Sequence, residues 1–237
     1  MPIPEHVLER HWFTAGHGTL WGTTGTYSRV AYHRLPAWPA QSAAFAWLKD
    51  LPQREHGRTL DSDENRTESF PLIAAEIRSL GFDLPEELPP LLTQPAIQSQ
   101  IPTCTDCYLE LSAHAVPLPG WPGSYAVRFM NDSQCCVLWY LLFQPDTPVR
   151  VLASEYFLER DIFDAMDYPS DIDDQPLRYE DVLSKSFVCA ESLGEFLWRF
   201  CVENRLWFAL HEKLPLAPAE QAYLEAARST DGASCYS

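Results

Sequence analysis

Basic residues, glycines and long apolar runs are all scarce in this sequence of 237 residues. Only 17 Lys and Arg stand against 33 Asp and Glu, a formal charge of −16. That imbalance argues against a protein that grips the phosphate backbone of DNA or RNA, where Lys and Arg must displace condensed counterions. It suits a basic protein partner instead. The longest uninterrupted apolar run, Cys135–Phe143, has nine residues, whereas a membrane-spanning helix needs about 20. The opening residues, Met1-Pro2-Ile3-Pro4-Glu5-His6, lack the basic start and apolar stretch of a secretory signal. The seven cysteines, an odd number with Cys135 and Cys136 adjacent, therefore read as reduced thiols in the cytoplasm. Ten Gly against twenty Pro leads us to expect many short elements, because proline ends both helices and strands.

Apolar residues are not scarce. At 46% hydrophobic the chain has the means to bury a core, which excludes global disorder. Its length fits one large domain or one domain with an appendage. Residues 1–60 carry four acids and six bases; the remaining residues carry 29 acids and 11 bases, a balance of −18. We therefore read residues 1–60 as an N-terminal extension or extra layer, with a strand near Tyr27–Tyr32, and residues 61–237 as the main domain.

In that domain Phe70, Ile73, Ala74, Ile77 and Leu80 recur at helical spacing. Ser69 is placed to cap the helix, Pro71 is tolerated in its first turn and Gly81 is placed to end it. Leu84 to Leu92 reads as a short helical turn that cannot continue past Pro89. The period then changes. Tyr108–Leu111, Ser124–Met130, Gln134–Phe143 and Val149–Leu152 read as strands, the second and third joined through Asn131-Asp132-Ser133, good turn chemistry for a hairpin. In the third strand Val137, Trp139, Leu141 and Phe143 share one face, and Cys136, Leu138, Tyr140 and Leu142 the other. Apolar residues on both faces predict a central strand covered on both sides. Ser192 and Glu195 form a capping box ahead of the stripe Leu193, Phe196, Leu197, Phe200, Cys201, which runs on through Leu206 and Trp207. A last helix is expected from about Pro218 to Arg228. Helices, then antiparallel strands, then helices predict an α+β fold, an antiparallel-dominated central sheet flanked by helices.

Little in the sequence points to catalysis. It has no Gly-x-Ser-x-Gly elbow, no His-Glu-x-x-His pair and no kinase set. Cys104-Thr105-Asp106-Cys107 is the one thiol motif. A structural zinc needs two further ligands; His114 and Cys135-Cys136 are available but do not repeat the usual spacing. A redox pair belongs at a helix N-terminus, and here a strand follows. A zinc- or thiol-dependent protein built on Cys104 and Cys107 is the alternative to a binding function. The densest acidic stretch, Glu155–Asp181, holds ten acids against Arg160 and Arg178. Within it Asp167, Tyr168, Asp171, Asp173, Asp174, Tyr179, Glu180 and Asp181 are the candidate partner-binding residues, since aromatic anchors beside charge are typical of interfaces. The other reading of this stretch is a solvated loop.

The order of motifs resembles a known family. The helix ending at Gly81, the Leu84-Pro85-Glu86-Glu87-Leu88 segment, the hairpin Tyr125–Asp132 with Val137–Tyr140, and Val188-Cys189-Ala190-Glu191-Ser192-Leu193-Gly194-Glu195-Phe196-Leu197 together look like the SUKH superfamily. That superfamily includes the fungal cell-wall synthesis regulators and many bacterial proteins. The resemblance covers roughly residues 66–210, and residues 1–60 match nothing in it. It implies an α+β fold without catalytic residues or cofactor. It further implies a cytoplasmic immunity protein that neutralises a cognate toxin, often a nuclease, or a regulatory scaffold of the same fold.

Overall fold

An antiparallel sheet with helices packed on it gives an α+β fold, seen in a computed structural model that describes residues 8–15, 27–39, 43–52, 54, 57–60, 68–166, 168 and 178–231. First comes a hairpin, β1 (His11–Ala15) and β2 (Tyr27–Ala31). Three helices follow: α1 (Phe70–Ser79), α2 (Leu88–Thr93) and α3 (Pro95–Gln98). Next are strands β3 (Tyr108–Leu109), β4 (Val116–Pro117), β5 (Tyr125–Asn131), β6 (Leu138–Gln144) and β7 (Thr147–Ser154). Helix α4 (Arg160–Ala165), strand β8 (Ser186–Ala190), and helices α5 (Leu193–Glu212) and α6 (Pro218–Asp231) complete the order. The main sheet runs β3-β5-β6-β7-β8, with β4 also on β5, and all these pairings are antiparallel.

The strand expected at the centre is there. Every residue of β6 is buried, and β5 and β7 flank it. On one face Trp139, Leu141 and Phe143 join a core with Ile73 and Ile77 of α1, Leu88 and Leu91 of α2, and Phe196 and Phe200 of α5. On the other face Leu138, Tyr140 and Leu142 meet Phe157, Leu158, Phe163, Val182 and Leu183. Asp132 organises the β5–β6 turn. Its Oδ1 accepts the backbone N–H groups of Gln134 and Cys136 at 3.0 and 3.2 Å, which frees Cys136 to lie exposed rather than on the second face.

Three local expectations need correction. Pro89 does not end a helix: α2 begins at Leu88, with Pro89 and Pro90 in its first turn, where their missing N–H groups have no intrahelical partner to lose. Ser69 precedes α1 without a side-chain cap bond, whereas Gly81 ends the helix as expected, with φ of +87° and Phe82 N–H reaching back to Ile77 O at 3.1 Å. At α5 Ser192 Oγ accepts the Glu195 N–H at 3.1 Å, but the Glu195 carboxylate accepts from the Glu191 N–H at 2.9 Å instead of from Ser192.

The hairpin β1–β2 lies against β8 and α5. Just before it, Glu9 O accepts the Val188 N–H at 3.1 Å and Arg10 bridges Val188 in parallel, so the edge strand β8 is partly covered. Helix α5 is buried almost all round, charged residues included: Glu195, Arg199, Glu203 and Arg205 are at most 6% exposed. Buried charge is costly unless paired, and residues before 60 supply much of the pairing. Tyr32 OH donates to Glu195 at 2.5 Å, Trp12 Nε1 to Glu203 at 2.8 Å, and Arg199 donates to Pro36 O at 2.9 Å. Arg205 reaches Pro52 O and, at 3.1 Å, Glu220, which Arg54 also holds.

Candidate binding face

A β-bulge sets up the second face of the sheet. Arg128 pairs with Tyr140 and Met130 with Trp139, so Phe129 is the extra residue. Strict alternation would send Met130 to the same side as Arg128. The bulge instead turns Phe129 and Met130 into the first core and brings Arg128 and Asn131 together, Nη1 donating to Oδ1 at 3.0 Å. Both then bind Glu110, the Asn131 amide at 2.5 Å.

From Arg128 a buried polar relay runs outward. Its Nε donates to Glu159 Oε1 at 2.8 Å. Glu159 Oε2 accepts from Tyr140 OH at 2.7 Å, and that hydroxyl accepts from the Leu158 N–H at 3.1 Å. Leu158 O in turn accepts from Tyr179 OH at 2.6 Å. Burial first, then the neighbouring Glu159 carboxylate, pushes the Tyr140 phenol well above its ordinary value, so it stays a neutral donor.

Above this relay sits an aromatic cluster. Tyr168 OH accepts the Phe157 N–H at 3.3 Å. The Tyr168 ring lies 5.1 Å from both Tyr156 and Phe163, and Tyr179 lies 5.5 Å from Phe163 on its other flank. The Arg160 guanidinium covers Tyr179 at 4.7 Å while pairing with Asp164 at 2.7 Å. A pocket of about 380 Å³ opens beside Tyr179, lined also by Val116, Pro117, Glu159 and Ile162. Tyr168 and Tyr179, which bracket Asp171, Asp173 and Asp174 in the sequence, are thus anchored through one phenylalanine and two consecutive backbone groups, Phe157 N–H and Leu158 O.

Of the candidate residues, the structure brings Tyr168 and Tyr179 together. Asp167, Asp171, Asp173 and Asp174 lie outside the described residues. Glu180 and Asp181 fall in the 3-10 turn Tyr179–Lys185, but their side chains lie outside the description. Sequence reading missed Arg128, Tyr140 and Glu159. A signal existed: an Arg between Val127 and Phe129 in a strand apolar on both faces has to find a buried acid.

The thiol motif has a different character. Burial pushes Cys107 up to about 11 and Cys104 up to about 12. Tyr27 OH ties the two layers together here, donating to Asp132 Oδ2 at 2.9 Å and lying 2.8 Å from Thr105 Oγ1 and 3.6 Å from Cys107 Sγ. Thiols so shifted are protonated at neutral pH. Among the described residues no group of three His, Cys, Asp or Glu is placed to hold a metal ion, and no helix is long and apolar enough to cross a membrane. No family model, curated protein or solved structure matches the chain.

Proposed function

We propose that this protein acts by stoichiometric binding, as an immunity protein whose acidic face covers a basic toxin. The observation that carries the reading is the pair Tyr168 and Tyr179, fixed on one aromatic cluster at the two ends of a segment that contains Asp171, Asp173 and Asp174. The resemblance to SUKH immunity proteins and the −16 charge support it from the sequence. Carboxylates facing a cationic partner steer encounter and raise the association rate, while aromatic anchors hold the complex through slow dissociation. A nuclease toxin offers a basic groove for which such a face competes with nucleic acid. No chemistry is required of the protein for that role.

The test is co-expression with a toxin-like C-terminal domain encoded beside the gene. The expected result is restored growth and a one-to-one complex. Replacing Asp171, Asp173 and Asp174 together by Asn should slow association and weaken its salt dependence, since steering fades as the Debye length falls from about 10 Å at 0.1 M salt to about 3 Å at 1 M. Unchanged association rate and affinity in that triple variant would place the binding face elsewhere.

A further inference from the structure

The pocket of about 380 Å³ beside Tyr179 opens where strand β4, hydrogen-bonded to β5, faces the start of α4. Ala115, Val116, Pro117 and Ile162 make its lining mostly apolar, and two carboxylates, Glu159 and Asp161, stand among them.

The charges around it do not cancel. The Glu159 side chain is 8% exposed and is held by Arg128 and the Tyr140 hydroxyl. Asp161 is exposed, and among the described residues no base pairs with it. Both basic residues that line the pocket have acids of their own. Arg160 Nε holds Asp164 Oδ2 at 2.7 Å, and His114 Nδ1 lies 3.9 Å from Glu76. Glu110, Glu159, Asp161 and Asp164 thus stand against Arg128 and Arg160, four acids against two bases.

This face already receives two guanidinium groups, and in one manner. Arg128 lies 5.0 Å over the Phe157 ring while it binds Glu159. Arg160 lies 4.7 Å over the Tyr179 ring while it binds Asp164. Each site joins an apolar surface to a carboxylate, which suits a planar, weakly hydrated guanidinium better than a strongly hydrated ammonium. The pocket offers the same combination a third time, apolar walls beside Asp161, with no guanidinium of this chain to fill it among the described residues.

We propose that this pocket is the socket for one arginine side chain of the basic partner. The inference deepens the binding reading above and takes from it only the partner's charge. The apolar walls cover the methylene stem, as they do for long cationic side chains generally. The guanidinium pairs with Asp161 at the rim, and Glu159 adds negative charge from the buried side. A wholly apolar anchor would cover Asp161 without giving it a partner, which is costly. Arginine is also among the residues that dominate interface energies when seated in a pocket.

The probe is Nα-acetyl-arginine methylamide, titrated into the full chain and followed by backbone amide shifts. The citrulline analogue keeps the shape and loses the charge; the norleucine analogue keeps only the stem. The arginine compound should shift Ala113, Ala115, Ile162 and Tyr179 saturably, and the other two should bind about threefold to tenfold more weakly. Asp161→Asn should weaken the arginine compound about twofold to fivefold, the range for an exposed pair, and leave the norleucine compound unchanged. Ala113→Phe, at an exposed position on the lining, should block all three. Equal binding of the citrulline or norleucine compound, no shift at about 20 mM, where even a millimolar site is mostly filled, or an arginine affinity unchanged in both variants overturns the socket. The two readings fail separately. A toxin that binds both variants as tightly as the parent overturns the socket and spares the immunity reading. Saturable, charge-dependent binding of the arginine compound upholds the socket even where no neighbouring toxin forms a complex, a result that overturns the immunity reading alone.

Discussion

Replacing Tyr140 by Phe is the sharpest probe of the relay beneath the proposed binding face. The ring and its volume are kept, so only one oxygen is lost from a side chain with no exposed surface. That oxygen donates to Glu159 Oε2 at 2.7 Å and accepts from the Leu158 N–H at 3.1 Å. Its loss leaves a buried carboxylate oxygen and a buried N–H unpaired, although Arg128 still holds the other carboxylate oxygen at 2.8 Å. A hydrogen bond to a charged group contributes about 1.5–3 kcal/mol and an unpaired amide costs about 1 kcal/mol, so the variant should lose about 2–4 kcal/mol. For a chain of this size each kcal/mol moves Tm by about 2–4 °C, which predicts a drop of several degrees. Urea and thermal melts at pH 7 measure it, with an unchanged m-value showing that the native state keeps its compactness. A double-mutant cycle with Glu159→Gln should be strongly non-additive, because the two changes remove the same bond. Amide exchange at Leu158 should quicken more than exchange in α5, on the far side of the sheet. A loss below about 0.5 kcal/mol, in the range of an ordinary surface change, would refute the buried, doubly bonded hydroxyl and with it the anchoring of Tyr179 through Leu158.

Trp139→Ala should cost about 3–5 kcal/mol, because the indole is 1% exposed and packs 5.9 Å from Phe196 and 6.2 Å from Phe200; an unchanged melting temperature would remove β6 from the centre of the core. Stability should fall in alkali. Burial raises the native Cys107 thiol to about 11 and that of Cys201 to about 12, against an ordinary 9.0. Their contribution is complete below pH 9 and is lost as pH climbs towards those native values, by about 1.4 kcal/mol per pH unit for each thiol. Urea midpoints at successive pH values read the slope, and Cys107→Ala should flatten it. Thiol titration of the native protein should find the exposed Cys136 reacting first and Cys107, Cys189 and Cys201 reacting only on unfolding. Protein purified without added zinc should carry no stoichiometric metal; one equivalent lost on Cys104→Ser and Cys107→Ser would favour the metalloprotein reading instead.

The sequence by itself determined the architecture, because periodicity and capping act over a few residues. Apolar residues on both faces of Leu138–Phe143 required two covers. Gly81 had to end α1 because a left-handed residue was needed there, and Ser192 had to open α5. The acidic excess is fixed by composition alone. What tertiary structure decided were the long-range pairings of groups that look solvent-facing when read locally. Glu195, Arg199, Glu203 and Arg205 sit on a helix where charge normally marks the wet face; Trp12, Tyr32, Pro36 and Pro52, each more than 150 residues away in sequence, bury them. One extra residue at Phe129 places Arg128 beside Asn131 and above Glu159, which no alternation rule foresees, since a bulge resets the period. Trp38 reaches Trp198 of α5, their ring centroids 5.7 Å apart, only because the segment after the hairpin folds back onto that helix. Such contacts follow from how layers close over one another, and a buried charge acquires its meaning only once its distant partner is in place.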